Sequence, residues 1–477
     1  MTSNLEPMRH RSTFFHALVS VLAVIAALAL QWSRHVNHDV AYLTWVADKV
    51  MHGAIFGIDI REINPPLSFI LYWPAAWLAQ WFTYDLAIKV WIAGIALFSL
   101  TVLERTAPED LRLPLLIAFG AFLVMGYPRE FGQREEIAMF LTAPYVIGPA
   151  ERRGWNVVSG IMAGIAACIK PHFLLVPVLL LAQRRRINAA EWALALTGFA
   201  YAVLLIMCFR PYLEVMLPSA VASYSGVQPA DVGFQRLGMA TWFVMLALAL
   251  AVIASDAKAV SLGLAALGFA GAAALQAKLF PYHFLAAWGF ALASLVVTAV
   301  RRTGMIRAMA GATIALVAVY LGILIALPWQ NDIERRERDI PVLLREIDRA
   351  DSFLVISDYP YPAFPTAIYT RTPYLGSQAF TGAIPSVAAL ETGQDPSIDP
   401  KVKDLALYNA LTDLRKNPDL VIVNGDWSSF PGLKSRNFDG LKWLNRHPAF
   451  HRLWKNYHIE RRIGNWTLYR RAVIVGG

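Results

Sequence analysis

Long apolar runs broken by short polar turns fill the first two-thirds of the chain. Phe14 to Trp32 comes first; Leu67 to Phe82, Asp85 to Leu103, Leu113 to Tyr127, Ile137 to Pro149, Val157 to Ile169 and Phe173 to Ala182 follow. Trp192 to Phe209, Met239 to Ala254, Val260 to Gln276, Phe284 to Val300 and Ala308 to Leu327 complete the series. A helical bilayer crossing needs about 20 mainly apolar residues, so these runs predict membrane helices. The first run follows Arg9-His10-Arg11 and shows no clear small-residue cleavage site. It is expected to be a retained helix with its N-terminus inside.

Basic residues fix the expected sides. If every run crosses, the clusters Arg152-Arg153, Arg184-Arg185-Arg186 and Arg301-Arg302 all fall opposite the basic N-terminus, against the positive-inside tendency. If Leu67 to Phe82 instead rests in the interface, all three move inside, together with Arg105, Arg112, Lys258 and Arg307. That segment is also short, follows Pro65-Pro66, and carries Trp73, Trp77, Gln80 and Trp81, the pattern of an amphipathic helix at headgroup depth. The expectation is about eleven crossings with the C-terminal region outside.

From about Trp329 the pattern changes. A charged helical stretch, Asn331 to Arg349, precedes a strand-like run, Ser352 to Ser357, a Pro- and Tyr-rich loop, Asp358 to Pro365, and a second strand-like run, Leu420 to Asn424. The chain ends in a Trp- and His-rich segment and Asn465 to Arg471. Mixed strands and amphipathic helices predict a small soluble α/β domain over 329–477, behind a transmembrane domain over 1–328 whose first outer loop, 35–83, carries interfacial helices. No phosphate-binding glycine loop is present in the terminal domain.

Composition supports this class. Hydrophobic residues make up 57% of 477 positions, charged residues only 16%, and the mean hydropathy is +0.45, too apolar for an ordinary soluble domain. The net charge of +9 sits mostly in short clusters between spans, where it sets orientation and does not point to nucleic acid. The two cysteines, Cys168 and Cys208, lie in apolar runs with no metal or redox spacing, and are expected to be buried and inert.

On the expected topology, the outer face collects Asp39, Asp48, Asp59, Arg61 and Glu62, then Arg129, Glu130 and Gln133 to Glu136. Lys170-Pro171-His172, the loop from Arg210 to Arg236, and Lys278 to His283 lie on the same side. Charged groups at membrane depth are costly and face cavities, so a one-sided collection predicts a site.

Five stretches carry a family resemblance: His38-Asp39, Asn64-Pro65-Pro66-Leu67, Gly132-Gln133-Arg134-Glu135-Glu136, Ile169-Lys170-Pro171, and Lys278 with Tyr282-His283. With an acidic residue soon after the first span and a terminal outer domain, the chain resembles the GT-C glycosyltransferases. These include protein O-mannosyltransferases, lipid A aminoarabinose transferases and arabinofuranosyltransferases. The resemblance implies sugar transfer from a polyprenyl-phosphate donor to a glycan, lipid or protein acceptor, outside a bacterial inner membrane. A hydroxyl acceptor needs a base, for which a partly dehydrated carboxylate is suited; Asp39 is the expected base. The departing phosphate gains charge, which preplaced cations stabilise; Lys170, Lys278, His283, Arg134 and Arg129 are expected there. Glu135, Glu136, His38, Glu62, His172 and Tyr282 form the expected remainder, as a second acidic motif or substrate contacts. Some relatives bind a divalent metal through a second-loop acid and others use none. Without a paired D-x-D here, Mg2+ or Mn2+ stays open.

Each assignment has a structural counterpart. Asp39 suits a helix N-cap, and Glu135 and Glu136 suit pairing with Arg129 and Arg134 at a helix start. Lys170 could snorkel to bulk lipid, His283 could be a satisfied interfacial residue, and Arg61-Glu62 a solvated ion pair. Competing whole-protein readings are a transporter or flippase, a polymerase or ligase of lipid-linked glycans, and a non-catalytic scaffold. Transporters tend to show repeated halves, which are not visible here.

Overall fold

The computed structural model describes residues 6–126, 128–148, 153–224, 231–326, 330–425, 427 and 438–472. Arg152, Trp329, the expected span ends at Tyr127, Pro149 and Leu327, and 225–230 of the loop from Arg210 to Arg236 lie outside them. The chain is mostly helical and divides into two compact units.

The first unit comprises Met1–Arg34, Leu86–Leu204 and Val232–Pro328. Its helices follow the apolar runs in order, among them Glu109–Met125, Arg134–Ile147, Arg153–Ile169 and Gly304–Ala326. Five described segments are long and apolar enough to cross a membrane: Thr13–Gln31, Tyr84–Thr106, Ala189–Cys208, Ala257–Leu275 and Pro281–Arg301. Shorter apolar helices include Gly154–Ile169 and Leu237–Ile253. The helix Ala189–Cys208 exposes Trp192, Leu196 and Phe199, a stripe at helical spacing suited to lipid. Cys208 at its end is exposed and Cys168 only half-buried, so the expectation of two buried thiols fails for both. An apolar run does not reveal which side of its helix meets lipid.

The helix Arg134–Ile147 is buried along its whole length. Glu135 and Glu136 occupy its first turn, where acids complement the positive helix end. At the other end, Arg184 donates to the carbonyls of Tyr145 and Val146 at 2.9 and 2.8 Å, and Lys258 Nζ to those of Ile147 and Gly148 at 2.6 and 2.8 Å. These donors satisfy carbonyls that a helix end cannot bond internally. Gly289 permits the approach of the helix Leu285–Arg301, since a Cβ there would collide with the sulfur of Met139.

The second unit comprises His35–Asp85, Leu205–Asp231 and Trp329–Gly477. The unit thus joins the terminal region to the first loop and the segment after Leu204. Its sheet has the order β1-β2-β4-β3, with β1 Phe353–Ile356, β2 Leu420–Asn424, β3 Tyr457–Ile463 and β4 Trp466–Arg471. The strands β1 and β2 are parallel and wholly buried, as expected of strands covered on both faces; β4 is antiparallel to β2 and β3. Between β1 and β2 run the helices Ala363–Tyr369, Ile384–Glu391 and Lys401–Leu414.

Three sets of contacts tie the first loop to the terminal domain. The Tyr369 hydroxyl accepts from the Val36 amide at 2.8 Å and donates to Asp85 at 3.0 Å, holding both ends of the loop. Arg61 donates to Asn409 and Tyr408 at 2.7 and 3.0 Å, and its amide to the Ser377 carbonyl at 2.8 Å. Tyr42 and Trp45 pack edge-on against Phe364 at 5.0 and 5.5 Å. The segment after Leu204 joins through Phe209, edge-on to Phe56 and Phe69, and through Ser223, whose carbonyl accepts from Ser386 at 2.6 Å.

This packing covers the helix after Asp39. In His38–Met51, Val40 to Ala47 are buried without a break. An uninterrupted V-A-Y-L-T-W-V-A face needs cover on all sides, and the nearby Leu67–Ile70 and Trp73–Leu78 supply it together with the distant Ala363–Tyr369. The segment 67–82 does differ from the spans. It breaks into Leu67–Ile70 and Trp73–Leu78, of 4 and 6 residues, far short of a hydrocarbon core about 30 Å thick, and it exposes Trp73, Trp77 and Trp81.

Replacing Tyr369 by Phe removes both loop-end hydrogen bonds and is expected to destabilise the 35–85 segment by about 1–3 kcal/mol. Hydrogen exchange should show faster exchange within 35–85 than in the β1–β2 core; unchanged protection there would contradict this docking.

Candidate functional site

In the first unit, polar side chains gather around Glu135. A buried carboxylate needs compensation, and Lys170 supplies it with a short ion pair to Oε1. The same ammonium donates to Gln276 at 2.9 Å and lies 5.8 Å from the Tyr282 ring centre. His283, also buried, sits with Nε2 4.0 Å from Glu135 and its ring edge-on to Tyr282 at 4.5 Å. Arg134, Lys170 and Lys278 all act electrostatically on the His172 and His283 rings. Three buried atoms of this group, Glu135 Oε2, His172 Nε2 and His283 Nδ1, have no hydrogen-bond partner among the described residues.

The backbone helps to place these groups. Lys170 ends the helix Arg153–Ile169, and Pro171 starts the following turn, so chain direction changes at the lysine. Lys278 lies between Ala277 and Leu279, both left-handed at φ 56 and 52. Such conformations cost non-glycine residues on the order of 1–3 kcal/mol each and tend to persist at functional positions. Lys170 pairs with Glu135, while Arg134 and Lys278 act on the two imidazoles, so positive charge exceeds the one carboxylate, a disposition suited to an anion. Glu136 turns back instead, accepting from the Gly132 amide at 2.6 Å. Arg129 lies in the short turn Pro128–Glu130 before this helix.

In the second unit, His38 and Asp39 open the helix His38–Met51. The cap is Asn37, whose side chain accepts from the Asp39 amide at 2.8 Å, so the capping role proposed for Asp39 belongs to its neighbour. Asp39 Oδ1 lies 3.7 Å from His38 Nε2, with both side chains 21% exposed. His38 Nε2 and the Tyr359 hydroxyl are 3.0 Å apart, a hydrogen bond whose donor depends on the tautomer. Glu62 is buried and takes the amide and side chain of Asn64. Burial and the nearby Glu62 charge push the Tyr212 phenol up to about 12, so it stays a donor at neutral pH.

Two of the structural counterparts fail here. Lys170 does not snorkel, being buried in an ion pair, and Arg61-Glu62 is not solvated, since both are buried and Arg61 reaches Asn409 and Tyr408. Glu135 takes Lys170 as its ion-pair partner. Residues missed in the sequence are Gln276, which ends an apolar run, and Tyr359, one of several tyrosines in its loop. A lone polar residue at a span end was the available signal for the first; nothing singled out the second. No group of three or more His, Cys, Asp or Glu among the described residues is placed to hold a metal ion.

The fold is ArnT-like. The crystal structure of ArnT from Cupriavidus metallidurans bound to undecaprenyl phosphate is similar over 98% of this chain and 99% of that one, with a TM-score of 0.54 and 11% identity. No family model matches the sequence, and no curated protein matches it.

Glu135→Gln or Lys170→Met alone removes one partner of a buried pair, and each should cost about 3–5 kcal/mol. The double variant should recover most of that loss. Thermal unfolding in detergent, analysed as a double-mutant cycle, measures the coupling; strictly additive losses would contradict the pairing.

Proposed function

We propose that this protein is an inverting glycosyltransferase that moves a sugar from a polyprenyl-phosphate donor to a glycan, lipid or protein acceptor at the outer face of a bacterial inner membrane. The observation that carries the reading is the near full-length likeness to ArnT bound to undecaprenyl phosphate. The cationic group around Glu135 supports it, because a prenyl phosphate is an anion delivered from the lipid.

In this reading Asp39 takes the acceptor's hydroxyl proton. The acceptor oxygen bonds the anomeric carbon from one side while the bond to the donor phosphate breaks on the other, its electron pair leaving on the phosphate oxygen. Lys278, Arg134 and Lys170, with His283 and Arg129, stabilise the charge that develops there, where fixed cations act most strongly. Glu135 holds Lys170 in place. Glu136, His172 and Tyr282 shape the surroundings of Lys170, and Glu62 those of the first loop. About eleven crossings put the N-terminus in the cytoplasm and the terminal domain outside. The broken segment 67–82, with its exposed tryptophans, supports an interfacial position for it.

Asp39→Asn should keep the fold and membrane insertion and lower transfer by roughly 10²–10⁴-fold, the usual worth of a general base. The assay is release of undecaprenyl phosphate from lipid-linked sugars in extracted bacterial membrane lipid. Near wild-type release by the variant overturns the assignment. Cysteines placed at Ala79 and at exposed positions of the terminal domain should label only from outside; labelling of the Ala79 site from the cytoplasm contradicts the topology.

A further inference from the structure

We propose that Tyr359 is a positioning residue for Asp39, acting through His38, so that the terminal domain completes the catalytic carboxylate. The inference rests on the reading of Asp39 as the base.

Three short contacts connect them. The Tyr359 hydroxyl is 3.0 Å from His38 Nε2, the two rings are 4.8 Å apart, and the same nitrogen is 3.7 Å from Asp39 Oδ1. Both ends of the chain of contacts are fixed. The Tyr359 amide donates to Ser357 Oγ at 3.1 Å, and the adjacent Asp358, fully buried, accepts from Asn424 at 2.9 Å. Asn424 is the last residue of β2 and Ser357 follows β1, so the loop is anchored at the carboxyl ends of two paired parallel strands. At the other end the Asn37 cap fixes the backbone of His38 and Asp39.

A carboxylate with 21% of its side chain exposed rotates unless something restrains it. With a proton on Nε2 the His38 ring attracts Oδ1 and donates to the Tyr359 oxygen, and that contact stops the imidazole from turning away. A base works only when its oxygen is aimed at the proton it takes, so the hydroxyl of Tyr359 sets the aim from one residue removed. Within the terminal domain, Glu346 is held by Arg349 and Arg461, Glu391 by Lys403, Asp413 by Lys416, and Asp419 and Glu460 by Arg470. The Tyr359 loop is where that domain reaches the start of the first loop's helix.

The test uses the full chain and the release of undecaprenyl phosphate from lipid-linked sugars in extracted membrane lipid. Tyr359→Phe keeps the ring and removes only the hydroxyl. It should lower kcat by roughly 10–100-fold, as loss of an orienting partner does, without changing the half-saturating lipid concentration. Tyr359→Phe combined with His38→Gln should be no slower than His38→Gln alone, because the hydroxyl acts through that ring. Multiplied losses in the double variant would overturn the inference. Wild-type turnover by Tyr359→Phe, with Asp39→Asn inactive, would overturn it and leave the base assignment standing. An active Asp39→Asn would remove the base assignment itself. If Tyr359→Phe lowers the melting temperature, Tyr359→His restores a polar ring atom: recovered kcat supports positioning, and a loss equal to that of Phe overturns it.

Discussion

The first unit depends on the helix Arg134–Ile147, which is buried throughout and has charge at both ends. Its N-terminal turn carries two acids and its C-terminal carbonyls are held by Arg184 and Lys258 from other segments. The macrodipole favours this arrangement at each end. Burying Glu135 then forces a cation to accompany it, and Lys170 meets that need from a neighbouring helix end. His283 enters the same group from the start of the helix that Gly289 brings close. A structural demand for compensation thereby concentrates cations, and a surplus of positive charge is what an anionic lipid-linked substrate requires.

The second unit meets a different constraint. Its first loop has few residues with which to build a core of its own, yet it must hold Asp39 in place. Tyr369 closes the loop at both ends, Arg61 anchors its middle, and Tyr42 and Trp45 fill an aromatic cluster with Phe364. The terminal domain therefore serves as the platform on which the loop is ordered. Its parallel pair β1–β2, buried on both faces, is rigid enough for that purpose.

Much of this was legible in the sequence. Apolar runs marked where most helices lie, because a helix that meets lipid or core must be apolar over its length, but not the polar starts at Glu6 and Asp231, well ahead of Phe14 and Met239. The runs Ser352 to Ser357 and Leu420 to Asn424 marked β1 and β2 because buried parallel strands are continuous apolar stretches. Lys170, Glu135 and His283 were visible as charge at span ends, although not as one another's partners. The burial of Val40 to Ala47 was not legible, since part of its cover comes from Phe364 and Tyr374, and an apolar 14-residue helix looks the same against lipid as against protein. Tyr359 was hidden for the same reason: only the tertiary contact with His38 separates it from its neighbours Tyr361 and Tyr369.

The central claim is that the cations gathered around Glu135 exist to hold a prenyl phosphate. Native mass spectrometry of the protein extracted with its own lipid tests this most directly. The account predicts a bound polyprenyl-phosphate species that is retained by Asp39→Asn and lost when Lys278 and Arg134 are both replaced by glutamine. Retention of bulk phospholipid alone, with no prenyl phosphate on the wild-type protein, would contradict it.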